Sequence, residues 1–157
     1  MRITLLFALM VTTMALFSCA GTRPSNLGVR DGHLAPCPAS PNCVSSDAAT
    51  DDATHYVAPL VLRTGPEQGW QAAQAAVTKL PRTEIITESP GYLHAESTSA
   101  LMGFVDDLEL ELRPNDGVIA VRSASRLGYG DMGVNRSRVE KLRGMLIEQG
   151  VVQTDDS

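Results

Sequence analysis

FVDDLELELRPNDGVIAVRSAS, residues 104–125, holds the pattern from which the fold can be read. Leu108, Leu110 and Leu112 alternate with Glu109, Glu111 and Arg113, the period-two signature of a strand with one apolar face. Pro114-Asn115-Asp116-Gly117 is a turn sequence, and VIAVRSAS (118–125) follows as a second strand. Pairing Arg113 with Val118 sets Leu112 opposite Ile119, Leu110 opposite Val121, Leu108 opposite Ser123 and Asp106 opposite Ser125. The other face then joins Glu109 to Arg122, a favourable cross-strand pair. A slip that placed Leu110 opposite Arg122 would mix charge into the apolar row, so the first register is expected. Its core-facing row is graded: apolar near the turn and polar at the far end, where a buried Asp106 needs a partner.

Outward from this hairpin, TEIITE (83–88) and YLHAEST (92–98) flank Ser89-Pro90-Gly91 and form a second hairpin. His94 shares a face with Tyr92 and Glu96 there and is expected to meet solvent. SALMG (99–103) is an apolar connection between the hairpins. YVAPLVLR (56–63) is rich in β-formers but contains Pro59, which suits an edge strand. Thr64, Pro66 and Glu67 then signal a helix start, Trp70, Ala73, Val77 and Leu80 recur at helical spacing, and Pro81 ends the element. The last helix is expected from about Asn135 to Gln149, with Val139, Leu142, Met145 and Leu146 on one face and Ser137 and Glu140 in capping-box spacing. The order strand, helix, four strands, helix implies an α+β fold: an antiparallel sheet of about five strands with both helices packed on one face.

The chain has 157 residues, 43% of them hydrophobic, enough for one domain. Residues 1–18 carry a single early charge, Arg2, and then an uncharged apolar run, the layout of a signal peptide. Leu16-Phe17-Ser18-Cys19 resembles the lipobox of bacterial lipoproteins, which implies lipidation of Cys19 and anchoring to a membrane without a spanning helix. The residue after it is Ala20, not Asp, which resembles outer-membrane sorting and implies the periplasmic face of the cell envelope. Residues 19–36 then read as lipidated cysteine and tether, 37–54 as a cysteine loop and polar linker, 55–150 as the single domain and 151–157 as a disordered tail. Cys37 and Cys43, in an oxidising compartment, are expected to form a disulfide. No second cysteine pair exists and His33, His55 and His94 lack ligand spacing, so no metal or other cofactor is expected. A net charge of -5 and a pI near 5.1 argue against a nucleic-acid partner.

Polar residues converge where the 118–125 strand passes into the last helix. The core-facing row brings Asp106, Ser123 and Ser125 together. The chain continues through Arg126 and the glycine-rich stretch around Asp131, and the helix opens with Asn135, Arg136, Ser137 and Arg138. Arginines at a helix N-terminus sit in a region of partial positive charge, so something negative should offset them. Two readings supply it: Asp106, Asp107 or Asp131 paired with Arg126, Arg136 or Arg138 in structural ion pairs that lock the loop to the sheet, or an anionic group on a ligand held by backbone N–H groups and the arginines. The candidate ligand-binding set is therefore Asp106, Ser123, Ser125, Arg126, Asp131, Asn135, Arg136 and Arg138. No residue is assigned a catalytic role: Gly-x-Ser-x-Gly, His-Glu-x-x-His and Gly-x-x-x-x-Gly-Lys are all absent.

CPASPNCVSS (37–46), FVDDLELEL (104–112) and VRSASRLGYGDMGVNRSRVEKLR (121–143) resemble the signature segments of a bacterial and plastid family catalogued as domain of unknown function 1499. Asp106, Asp107, Arg122, Ser123, Ser125, Arg126, Gly128, Asp131, Gly133, Asn135, Arg136 and Arg138 match that signature. The resemblance implies no activity, since none is established for the family. The expected function is that of a non-catalytic envelope lipoprotein, its membrane contact made through Cys19, binding a small anionic ligand or an envelope protein. A hydrolase acting on an envelope ester or phosphate, and a structural component of an envelope assembly, are the alternatives.

Overall fold

The computed structural model describes residues 20–154. The signal segment and Cys19 lie outside the described residues, as do 155–157. Eight elements follow in chain order: β1 (Cys43–Ser45), β2 (Leu60–Val61), α1 (Pro66–Val77), β3 (Thr83–Ser89), β4 (Tyr92–Thr98), β5 (Val105–Arg113), β6 (Val118–Ser125) and α2 (Val134–Glu148). The strands form one antiparallel sheet in the order β1-β6-β5-β4-β3, with β2 also pairing β6. The fold is α+β, and its sheet has six strands where about five are expected.

The β5–β6 register is the one the apolar rows require. Arg113 faces Val118, Leu110 faces Val121, Leu108 faces Ser123 and Asp106 faces Ser125. Leu93, Ala95, Leu108, Leu110, Ile119 and Val121 carry the inner face, and Trp70, Ala73 and Val77 of α1 and Val139, Leu142 and Leu146 of α2 pack on it in one core. Each such leucine or valine contributes about 1.5–3 kcal/mol on burial. Ala73 and Ala76 let α1 lie close to the sheet.

The ordered structure extends past the expected domain limits at both ends. Asn42 and the cysteine loop belong to the fold: Val44 pairs with Ser123, Cys43 with Ala124, and Cys37 is disulfide-bonded to Cys43. The strand at 56–63 is confined to Leu60–Val61, because Pro59 has no N–H to donate. After α2, Gly150 takes a positive φ of 69° and returns the chain, so that Val151 and Val152 are buried and Arg63 donates its N–H to the Val151 carbonyl.

Residues 20–36 cover the outer face of the sheet instead of hanging free. Gly28 donates its N–H to Glu109 Oε1 at 2.7 Å, Leu34 donates to Asp47 Oδ2 at 2.9 Å, and Leu34 is buried. His94, expected at the surface, is 3% exposed as a result. A charged row in a strand looks the same in sequence whether water or a polar coil covers it.

The helix starts also differ in their chemistry. Neither the Thr64–Glu67 nor the Ser137–Glu140 spacing forms a side-chain cap: Gly65 and Gly133 occupy the cap positions. At α2 the carboxylate of Asp131 does that work, accepting the N–H groups of Gly133 and Asn135, each at 2.9 Å.

Candidate functional site

Two polar assemblies flank the open end of the hairpin, one on each face of the sheet. On the inner face the β5–β6 register sets Asp106 beside Ser125 and Leu108 beside Ser123. The first turn of α2 lies over them, and residues three apart on a helix share a side, so Asn135 and Arg138 reach the same point. Arg138 donates to Asp106 Oδ2 at 2.6 Å, to Asn135 Oδ1 at 2.7 Å and to Ser123 Oγ at 2.9 Å. Ser123 Oγ also donates to Asn135 Oδ1. The Asn135 amide in turn donates to Ser125 Oγ, Asp131 Oδ2 and the Asn42 carbonyl. Asn135 is completely buried and links β1, β6 and the 126–133 loop.

Six of the eight predicted site residues thus meet: Asp106, Ser123, Ser125, Asp131, Asn135 and Arg138. Arg126 and Arg136 do not. Arg136 donates to the backbone carbonyls of Tyr56, Thr54 and Ala53, fastening the segment before β2. Arg126 turns to the outer face and grips Asp107 with two hydrogen bonds, at 2.7 and 2.9 Å. It also bonds Glu96, which Arg23 contacts in turn.

The outer face carries a second ion-pair network. His94 Nε2 is 2.7 Å from Asp107 Oδ1, and both residues are buried. Glu109, 0% exposed, accepts from Arg122, Tyr92 Oη and Gly28 N. Arg113 holds Asp47 and Glu111. Burial alone would push the carboxyls of Asp107, Glu96 and Asp47 up, but their donors outweigh it. His94 and Arg126 hold Asp107 below the usual carboxylate range, Arg126 and Arg23 hold Glu96 there, and Arg113 with the Leu34 N–H holds Asp47. Asp131 is lowered by the N–H groups of Asn135 and Gly133 and by the Asn135 side chain, again against burial. Burial, followed by the negative charge of Glu109, raises the Tyr92 phenol.

These shifts fix the direction of the pH dependence. A carboxyl that binds its proton more weakly when folded stabilises the fold fully above its unfolded pKa, and the gain is lost as pH falls through the folded value. The melting temperature is therefore expected to stay level from neutral pH to about pH 5 and to fall below it. Differential scanning calorimetry across that range checks this, and a melting temperature that rose on acidification would contradict the network.

His94, Glu96 and Asp107 are the group among the described residues whose ligand atoms lie close enough to share a metal ion. The Arg126 guanidinium already bonds both Glu96 and Asp107, so a cation would have to displace it.

Between the 99–104 and 126–133 loops lies a groove of about 370 Å³. Leu101, Met102, Phe104, Leu127, Met132 and Val134 line it, with Asp106, Ser125 and Asp131 at its polar side. No arginine lines it. Gly128, at a φ of 89°, directs its carbonyl to the Asn42 amide at 2.7 Å and fixes one wall. Sequence reasoning placed the polar floor but missed these apolar walls. The signal was present in SALMG and in Leu127, Met132 and Val134, but loops have no period from which exposure can be read.

Residues 33–146 match the family described as "Protein of unknown function (DUF1499)". No curated protein and no solved structure matches the chain significantly.

Proposed function

The chain belongs to the family of proteins of unknown function designated DUF1499, and because that membership assigns no activity, we propose from the site itself that it is a non-catalytic envelope lipoprotein whose domain binds an apolar group. The observation that carries this reading is the groove between the two loops. Its size falls in the range of small-molecule sites, about 300–1,000 Å³, and its walls are aliphatic, thioether and aromatic side chains. The polar side chains that line it are two carboxylates, Asp106 and Asp131, and two serines, Ser99 and Ser125. An anionic ligand is thereby disfavoured: Arg138 is spent on Asp106, Ser123 and Asn135, Arg126 on Asp107 and Glu96, and Arg136 on backbone carbonyls. The buried His94–Asp107 pair sits within an ion-pair network with Arg126 and gives the hydrolase alternative no support.

Titration of the protein with a neutral pyrene-labelled long-chain alcohol tests the proposal. Saturable binding is expected, with Phe104→Asp weakening it about tenfold or more, since burying an aromatic contact is worth at least about 1.4 kcal/mol. Phe104 is partly exposed, so its melting temperature should change little. Absence of saturation, or affinity unaltered in Phe104→Asp, would remove the reading. Displacement of the probe by inorganic phosphate would restore the anionic one.

A further inference from the structure

We propose that the tips of the 99–104 and 126–133 loops insert into the interface of a lipid bilayer, the one to which Cys19 tethers the chain; this rests on the lipoprotein reading above but not on occupancy of the groove. The large apolar side chains exposed among the described residues, Val29 apart, all lie on these two loops and the start of α2. Phe104 and Val134 are half-sheltered walls, whereas Leu101, Tyr129 and Met132 project outward, with 95%, 77% and 101% of their surface exposed. Met132 does so at a positive φ of 53°, a conformation unfavourable for a residue with a side chain. An apolar patch of this kind on a protein surface marks a contact surface. The opposite end of the sheet is built otherwise: its hairpin tip is Pro114-Asn115-Asp116, all exposed and polar or turn-forming.

The course of the chain identifies the occupant. Gly21 packs against the second loop: a Cβ placed on it would lie 3.0 Å from Leu127 Cγ and 3.0 Å from Arg126 Cβ. Cys19 is two residues before Gly21, and two extended residues span at most about 7 Å. A lipid on Cys19 therefore leaves the domain beside Leu127, at the same end as Leu101, Tyr129 and Met132. Exposed Arg82 and Lys141 border the neighbouring depression, which shares Val134 with the groove, and offer cations to anionic headgroups. Asp131, within the second loop, is tied down by the Gly133 and Asn135 N–H groups. Tyrosine suits the headgroup level, and a lipid chain together with inserted side chains gives firmer attachment than either alone.

The experiment is performed on the full exported and processed chain, reconstituted in vesicles of phosphatidylethanolamine and phosphatidylglycerol. Single nitroxide labels are placed at Met132→Cys and, as reference, at Asp116→Cys. The label at 132 is expected to collide severalfold more with oxygen, relative to a water-soluble nickel chelate, than the label at 116. Leu101→Asp combined with Tyr129→Asp should return it to water without altering the melting temperature. Equal ratios at the two positions would overturn the proposal. Shielding of position 132 from both reagents, the pattern of a protein–protein contact, would overturn it in favour of a protein partner. Loss of alcohol-probe binding with the depth retained would remove only the ligand reading, and the mass of the mature N-terminus tests the lipid on Cys19 separately.

Discussion

Asp107→Ala should lower the stability of the protein by about 3–5 kcal/mol, the cost of removing one partner from a buried ion pair. Asp107 is 1% exposed, and its two oxygens receive two hydrogen bonds from Arg126 and one contact from His94. Truncation leaves the Arg126 guanidinium in a nearly dry position with Glu96 as its remaining carboxylate. It also strips a buried histidine of its partner. The loss is large against a total stability of about 5–15 kcal/mol, so unfolding in urea at neutral pH should show it as a lower midpoint with an unchanged slope. Asp116→Ala, on an exposed turn, should move the midpoint little. Arg126→Met added to Asp107→Ala should recover part of the loss, because the unpaired charge goes with it. If Asp107→Ala behaved like Asp116→Ala, the outer face would be hydrated in solution and its coil cover would not hold.

Asn135→Ala should cost about 2–4 kcal/mol, since several buried groups lose a partner at once and each orphaned group costs about 1–3 kcal/mol. Ser123 Oγ and Arg138 lose an acceptor, while Ser125 Oγ, the Asn42 carbonyl and Asp131 lose a donor. Because Asn42 lies at the entry to β1 and Asp131 caps α2, the damage should spread. Amide hydrogen exchange in Asn135→Ala is expected to quicken in Cys43–Ser45 and in the first turn of α2, with the β3–β4 pairing unaffected. Exchange raised uniformly over the whole sheet would contradict the view that Asn135 joins these segments locally. Asn135→Asp is not a mild replacement here, as it would set a second carboxylate beside Asp131.

These two residues also show what the sequence could and could not convey. The hairpin of β5 and β6 was legible because alternation and a four-residue turn leave one register that keeps the leucine row clean, and Asp106 was placed with it. Alternation continued one residue further would have placed Arg126 with Arg122 on the outer face, next to Asp107 and away from Asp106. Arg126 belongs with the inner cluster only if it is counted as loop; of the carboxylates offered to it by the ion-pair reading, the structure selects Asp107. The burial of His94 and Asp107 was not legible, because a polar strand face carries the same pattern under water as under residues 20–36. β1 is not legible because three residues, starting at Cys43 and running into the polar 46–54 stretch, are too few to show a period. The groove walls escaped because apolar residues in glycine-rich loops carry no periodicity, and only the tertiary meeting of two loops makes them a cavity.

The central claim is that the groove over Asp106 and Ser125 receives an apolar group. The most direct measurement is the amide NMR spectrum of the protein with and without saturating decanol. The account predicts shifts concentrated in residues 99–106 and 125–134, reduced in Phe104→Asp, with the outer-face network around His94 and Asp107 unmoved. Shifts spread without focus over the surface, or confined to the outer face, would contradict it.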